Sequence, residues 1–443
     1  MNPTTSGAAR EAADHSSRGH AVQGRSPVPA ILGSVVAGLV LAIVLVLVQA
    51  ASASEASITG SVLLAFGIGW GLMALLTTRF SSQPQAWAQV PGAVLTAIGV
   101  GLVVLQPGPA VMDLLGWLWP PAIAMLAIWM IVQVRRQLPG RGRWLVLPVI
   151  ATLLVFALGG GIVTVSAATG PGASPTSGRL IDVGGHRLYI ECTGSGSPTV
   201  VLQSGLGESS SYWSRIAPAV AESTTVCVYD RAGHGRSDVV AGPQGGIALA
   251  TDLHILLERA GIEGPYVLVG HSSGGPYVRV FDDRYPDEVA GMVLLDAQPA
   301  DAFTALPDYP GTYQSLRLAY GLGPSLARIG LLGIAFGLPA DQSTPAAARG
   351  ARDELAALPS ALQQAQALTS LGDRPLVVLT AGSGQQAGWL GAQDSMTSLS
   401  TSSVHRVVAT ATHNSLISGV DAQASTQAIL DVLVSIRTGT VLR

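Results

Sequence analysis

Five long apolar stretches occupy the first 166 residues, at about Ala30 to Val48, Ile58 to Thr77, Pro91 to Gln106, Leu114 to Val134 and Trp144 to Val165. Crossing a hydrocarbon layer of about 30 Å takes about 20 apolar residues in a helix, because every backbone polar group there has to be bonded within its own segment. Each stretch is therefore predicted as a spanning helix, the third being the shortest. Near Arg179 the pattern changes to short β-branched runs: Thr199 to Gln203, Val226 to Tyr229, Val267 to Val269, Met292 to Leu295, Leu376 to Thr380 and Val404 to Ala409. Amphipathic helical patterns fall between them, with Leu249, Leu253, Leu256 and Leu257 on one face. Such alternation predicts one α/β domain around a mostly parallel sheet. The expected organisation is a tail at 1–29, a membrane region at 30–166, a Gly/Pro/Ser-rich flexible linker at 167–178 and a folded domain at 179–443.

Composition supports two halves in different solvents. Charged residues make up 12% of the 443 residues, about half the fraction of about 25% usual in soluble proteins. The net charge of -3 hides an asymmetry: 8 arginines stand against 4 acids before residue 179, and 16 against 23 from residue 179 on. This balance argues against nucleic acid as a partner. Arg10, Arg18 and Arg25 precede the first stretch, Arg79 follows the second, and Arg135, Arg136, Arg141 and Arg143 separate the fourth and fifth. By the positive-inside rule the N-terminus is cytoplasmic, and five spans deliver the domain after Arg179 to the other side. Ala51-Ser52-Ala53 has the form of a signal-cleavage site, but the apolar run before it is long for a signal peptide, which favours an uncleaved helix. Cleavage would leave the sidedness of the rest unchanged.

Asp113, at the outer edge of the fourth stretch, is read as the only acid near a span. Without buried charges to mark an ion or substrate path, the membrane region reads as an anchor rather than a transporter. Trp70, Trp117, Trp119, Trp129 and Trp144 read as interfacial or packing aromatics, and Pro120-Pro121 as a kink.

The candidate chemistry lies in the second half. The strand ending at Val269 runs into Gly270-His271-Ser272-Ser273-Gly274 and then into a helical pattern. This is a GxSxG nucleophile elbow in the strand-turn-helix context that gives the motif meaning. Ser272 is the candidate nucleophile, and a serine hydroxyl requires a base within hydrogen-bond reach. Of eight histidines, His413 stands just after the last strand pattern in the loop Ala411-Thr412-His413-Asn414 and is the candidate base. His271 adjoins the nucleophile on the wrong side of the elbow, and His405 alternates within the last strand.

LQSGLGESSSYW at 202–213, YDRAGHGRSD at 229–238, GHSSGG at 270–275 and ATHNS at 411–415 give residues 179–443 a resemblance to the α/β-hydrolase superfamily. The resemblance implies a serine hydrolase fold with a helical cap, here at 297–371, and an oxyanion hole formed by the N–H groups of Ser273 and Leu206. Asp230, Arg231, His234 and Ser237 then read as stabilising their own loop. Most members place the triad acid after the seventh strand, but SGQQAGWLGAQ carries no carboxylate before Asp394. The alternative is Asp296, at the end of the sixth strand, and it is preferred. Tyr309, Tyr313, Leu316, Tyr320, Leu331, Leu332 and Phe336 are candidates to line a cap pocket or to form the cap's own core.

The expected protein is a membrane-anchored hydrolase for an ester, thioester or small amide, using Ser272, His413 and Asp296 and no metal or organic cofactor. A hydrolase-fold ligand receptor and a cofactor-free serine peroxidase or lyase are the alternatives. Its expected partners are a small acyl substrate and the lipid bilayer, and no feature names a protein partner. Cys192 and Cys227 fall in apolar strand patterns and read as buried thiols, with a disulfide left open by the expected oxidising location.

Overall fold

The computed structural model describes residues 25–49, 54–138, 140–169, 178–338 and 341–442. Arg10, Arg18, Ala51-Ser52-Ala53 and most of the expected linker lie outside the described residues, as does the side chain of Phe336.

The apolar stretches form α1 (Val28–Gln49), α2 (Glu55–Phe80), α3 (Gln89–Leu105), α4 (Pro109–Gln137) and α5 (Arg143–Thr169). All five are long and apolar enough to cross a membrane; a 3-10 turn at Ala86–Ala88 extends the third to 20 residues. α4 continues through Pro120 and Pro121, and α5 runs to Thr169, three residues into the stretch read as a linker. Glycines let the helices approach: a Cβ on Gly38 would lie 3.3 Å from the Gly69 Cα, and one on Gly99 would meet the backbone of Leu64. Trp70, Trp87 and Trp129 pack together inside, with centroids 5.8 and 6.3 Å apart, whereas Trp117 and Trp144 are exposed.

The two ends of the bundle differ in charge. At one end Ser82 N–H donates to the Arg25 carbonyl and the Gln85 amide to the Gln137 carbonyl, which gathers the arginine-bearing ends of α1, α2 and α4. At the other, Glu55 opens α2 and Asp113 is the fifth residue of α4. Glu55 therefore joins Asp113 as an acid at a span terminus, against the reading of Asp113 as the only one.

The second half is an eight-stranded sheet: β1 (Arg179–Asp182), β2 (Arg187–Thr193), β3 (Thr199–Gln203), β4 (Val226–Tyr229), β5 (Tyr266–His271), β6 (Val289–Leu295), β7 (Leu376–Ala381) and β8 (Ser403–Val408). The order is β1-β2-β4-β3-β5-β6-β7-β8, with β1–β2 and β2–β4 antiparallel and the rest parallel. Burial on both faces explains the short continuous apolar runs. Val201, Leu268, Met292, Leu294 and Val378 point into one core with Leu253 and Phe281; Val200, Leu202, Val269, Val293 and Leu379 point into the other with Trp213 and Ile429. The helices that cover these faces include α6 (Ala217–Ala221), α7 (Gly246–Ala260) and α8 (Gly274–Arg284).

Cys192 and Cys227 face each other in the β2–β4 pairing, with Cα atoms 4.1 Å apart, and form a disulfide. This corrects the reading as buried thiols. An apolar strand pattern reveals burial, but the partnership exists only because the topology brings β2 beside β4.

Between β6 and β7 the chain builds the cap from α9 (Ala302–Ala305), α10 (Tyr309–Arg328), α11 (Leu331–Phe336) and α12 (Pro345–Ala365); α13 (Trp389–Ser395) and α14 (Ala422–Thr438) follow β7 and β8. The cap docks on the acidic end of the N-terminal helix bundle. Arg328 pairs with Glu55 and, at 2.9 Å, with Asp113; Arg349 reaches Glu55 and Asp113 at 2.7 Å each. Glu55, Arg328 and Arg349 are buried, so each charge is matched by opposite charges rather than by water.

Candidate active site

The four loops that leave the carboxyl ends of β3, β5, β6 and β8 meet at one edge of the sheet, where open α/β folds form their binding crevices. β5 is buried along its length and turns into α8 across only Ser272 and Ser273, which leaves Ser272 on a tight elbow with φ 53°. Positive φ is costly for a residue with a Cβ, and the turn is enforced by packing. A Cβ on Gly270 would lie 2.7 Å from the Gly274 carbonyl oxygen, and one on Gly274 would lie 2.5 Å from that of Gln203. The Ser272 carbonyl is fixed by N–H groups from Gly275 and Gln298 at 3.1 and 2.8 Å.

His413 Nδ1 lies 2.6 Å from Asp296 Oδ2. Asp296 follows β6 with φ 42° and its side chain is 0% exposed, while that of His413 is 40% exposed. Trp389 Nε1 donates to Asp296 at 2.8 Å and Gln385 Nε2 at 3.0 Å. Burial by itself raises the pKa of the Asp296 carboxyl, but the hydrogen bond and charge of His413, with the donors Trp389 and Gln385, outweigh it and hold the group below its ordinary value. The loop after β7 thus delivers hydrogen-bond donors to the carboxylate on β6. Asp394 sits apart, with a side chain 73% exposed and His405 Nδ1 3.1 Å away. The structure therefore brings His413 to Asp296 and leaves Asp394 with His405.

Ser204 to Gly207 follow β3. A Cβ on Gly205 would lie 3.0 Å from the Ser272 Cβ, so the loop runs directly against the elbow. Gly205 N–H donates to Glu208 at 2.7 Å and Gly207 N–H to Glu354 at 3.0 Å. Between them the N–H of Leu206 has no acceptor among the described residues, and neither has that of Ser273. Two backbone donors without a protein acceptor among the described residues thus lie in the two segments that meet at Ser272.

Three residues given no part in the chemistry by the sequence reading support this edge. His271 is fully buried, with Nδ1 3.2 Å from Glu208 and Nε2 3.3 Å from the His413 carbonyl; its ring centroid lies 4.5 Å from that of His413. Burial works against the charge of both His271 and Glu208, yet their mutual attraction prevails, raising the histidine's pKa and lowering the glutamate's. The third is Glu354, on the cap helix α12. It accepts from Arg231 at 3.0 Å, from Tyr277 at 3.0 Å and from Ser273 Oγ at 3.3 Å, and His234 Nε2 lies 2.9 Å away. Arg231 also donates to the Ser204 and Gly205 carbonyls at 2.7 and 2.6 Å, so the pair clamps the loop that carries Leu206. Asp230 accepts from the N–H groups of Ser210 and Arg236, and Ser237 Oγ donates to its carbonyl, in keeping with a loop-stabilising part for these residues. No local pattern singles out Glu354, because its partners come from three separate loops.

Burial raises the pKa of Glu354, but Arg231 and His234 overcome this and pull it down to about 2 from 4.5. A carboxyl depressed on folding contributes stability that is fully present above its unfolded value and is lost as pH falls through about 2. Glu354→Gln is expected to cost about 3–5 kcal/mol by leaving Arg231 buried without its counter-charge. Thermal unfolding of the purified full chain at neutral pH measures this loss.

Tyr309 and Tyr313 are buried in the cap core with Leu306, Leu355 and Trp389, whereas Leu316, Tyr320 and Leu206 are partly buried at its margin. Leu332 belongs to a separate cluster with Ala327 and Ala348, and Leu331 is half-buried. A cavity of about 480 Å³ lined by Arg231, His234, Arg349 and Glu354 includes none of Ser272, Asp296 or His413.

A family model for the alpha/beta hydrolase fold matches residues 198–420. The lipase LipV of Mycobacterium tuberculosis is 36% identical over 133 residues, 28% of this chain and 50% of LipV. The probable transporter efuK of Hormonema carpetanum is 33% identical over 137 residues, 29% of this chain and 20% of efuK. The chain thus spans half or less of the length of these relatives. A thermophilic esterase from Thermogutta terrifontis superposes with a TM-score of 0.45 at 23% identity, covering 59% of this chain and 99% of the esterase.

Proposed function

The chain belongs to the α/β hydrolase fold family, and from that premise we propose that it is a membrane-anchored serine hydrolase that cleaves an ester, thioester or small amide. The observation that carries the reading is the 2.6 Å contact between His413 Nδ1 and the buried Asp296 carboxylate, beside the elbow that presents Ser272. With Nδ1 committed to Asp296, Nε2 is the nitrogen that takes the Ser272 proton as Oγ attacks the carbonyl carbon. The tetrahedral oxyanion receives the N–H groups of Leu206 and Ser273, each worth about 3 kcal/mol in such sites. His413 then gives its proton to the leaving group, and water, activated by the same nitrogen, releases the acyl group and restores Ser272. Residues 30–166 anchor the domain, residues 167–178 tether it, and 297–371 form its cap.

Full-length protein in membranes, treated with a fluorophosphonate probe, is expected to carry one covalent adduct, mapped by peptide mass spectrometry to Ser272. Absence of an adduct together with absence of ester turnover would refute the reading and favour a ligand receptor.

Arg79 and the arginines at the facing ends of α4 and α5 and in the turn between them support an outer location for the hydrolase domain. The Cys192–Cys227 disulfide supports an oxidising compartment. A reporter active only outside the cytoplasm is expected to be on when fused after Arg443 and off when fused in the loop between Gln137 and Arg143. The opposite pattern would move the enzyme to the cytoplasm.

A further inference from the structure

The cap reaches the membrane bundle lower than its charged contacts with the helix ends require. Gly159 lies six residues short of Val165, the last residue of the apolar run of α5, which is about 9 Å along the helix axis. A Cβ on Gly159 would collide with the Ile329 carbonyl oxygen, and one on Gly330 would lie 3.0 Å from the Gly159 Cα. On the same helix Ile162 is 66% exposed, and Val165, closer still to the hydrolase domain, is also exposed. On α4, a Cβ on Gly116 would lie 3.0 Å from Arg328 Nη1, and the neighbouring Trp117 and Leu118 are exposed. The turn from Arg328 to Gly330 therefore sits at a depth where the spanning helices present bare apolar side chains to their surroundings.

The cap sequence suits that depth. Between Arg328 and Asp341 there is no charged residue, and the segment reads IGLLGIAFGLPA. Ile334 on α11 is 78% exposed and Leu338 is partly exposed. Burying such an aliphatic side chain is favourable, so leaving Ile334 in water forgoes that gain, whereas lipid recovers it. The paired Arg328 and Arg349 fix the segment at this level by binding Glu55 and Asp113 at the helix termini.

We propose that residues 329–338 are seated in the lipid leaflet on the hydrolase side, as a membrane-contact element of the cap in addition to the five spans. The proposal rests on the reading of α1 to α5 as spanning helices but not on Ser272 chemistry, and its test needs no turnover. The element brings α10, which carries Leu316 and Tyr320 against the cap core, down to the bilayer surface.

Both native cysteines are in the disulfide, so Ile334→Cys and, separately, Leu338→Cys each provide a single thiol for an environment-sensitive fluorophore. The full chain is reconstituted in phosphatidylcholine nanodiscs with and without nitroxide-labelled lipid. Ile162→Cys serves as the in-bilayer reference and Val420→Cys, on an exposed loop after β8, as the aqueous one. Labels at 334 and 338 are expected to lose at least half their emission to the lipid nitroxide, as at 162, and to resist aqueous iodide, whereas the label at 420 behaves oppositely. Quenching of 334 and 338 by iodide alone overturns the proposal. Protection from both quenchers also overturns it, because protein then covers the segment. Failure of the nitroxide to quench 162 would show that the spans are misread, and the proposal would fall with them.

Discussion

Ser272→Ala is expected to lower ester turnover by about a millionfold and to abolish fluorophosphonate labelling while the protein stays folded. The substitution removes one hydroxyl from a half-buried elbow and no structural hydrogen bond of its side chain among the described residues. What remains is the background from substrate binding and the two free N–H groups, since the loss of one member of a triad removes most of what the unit provides. Circular dichroism and the melting temperature of the variant check the fold, and turnover of a chromogenic ester checks the chemistry. Turnover within tenfold of the parent protein would exclude Ser272 as nucleophile, whatever the geometry of the elbow.

Asp296→Asn is expected to cut kcat by about 10⁴-fold. An amide in place of the carboxylate can present N–H to His413 Nδ1, which stabilises the tautomer with the proton on the wrong nitrogen and offers no charge to balance an imidazolium. Trp389 and Gln385, which now donate to the carboxylate, keep one oxygen acceptor but lose its charge. Asp394→Asn is expected to change kcat less than about twofold, because exposed ion pairs such as that with His405 contribute little. Measured side by side, a large loss at Asp394 and a small one at Asp296 would reverse the assignment of the acid. Small losses at both would mean that Ser272 and His413 act without an acid partner.

These two positions also differ in how they were found. Ser272 was legible because the GxSxG elbow is local: strand, glycines, serine and helix lie within about a dozen residues, and the chemistry needs them adjacent. His413 was legible for a similar reason, standing in the short loop after the last strand pattern. The spanning helices were equally plain, since a bilayer demands about 20 apolar residues in one run wherever the rest of the chain goes. Even there the apolar pattern of the third stretch is shorter than its span, because the 3-10 turn at Ala86–Ala88 lies in sequence without an unbroken apolar run. The strands β1 and β2 were not singled out, although the start of the domain near Arg179 was.

Sequence by itself therefore determined the two-part organisation, the α/β fold, and the candidate nucleophile and base, all of which follow from periodicity or from neighbours along the chain. Tertiary structure decided the rest. That His413 meets Asp296 and not Asp394 rests on a contact across 117 residues, made because β6 and the loop after β8 end at one edge of the sheet. The Cys192–Cys227 disulfide depends on β2 pairing with β4 out of chain order. The hold of Arg349 on Glu55 spans 294 residues and exists only where the cap meets the bundle. Glu354, given no part in the sequence reading, gathers partners from the loops after β3, β4 and β5. A buried charge is stable only where its counter-charges and donors converge on it, and that convergence is a property of packed elements rather than of any stretch of residues.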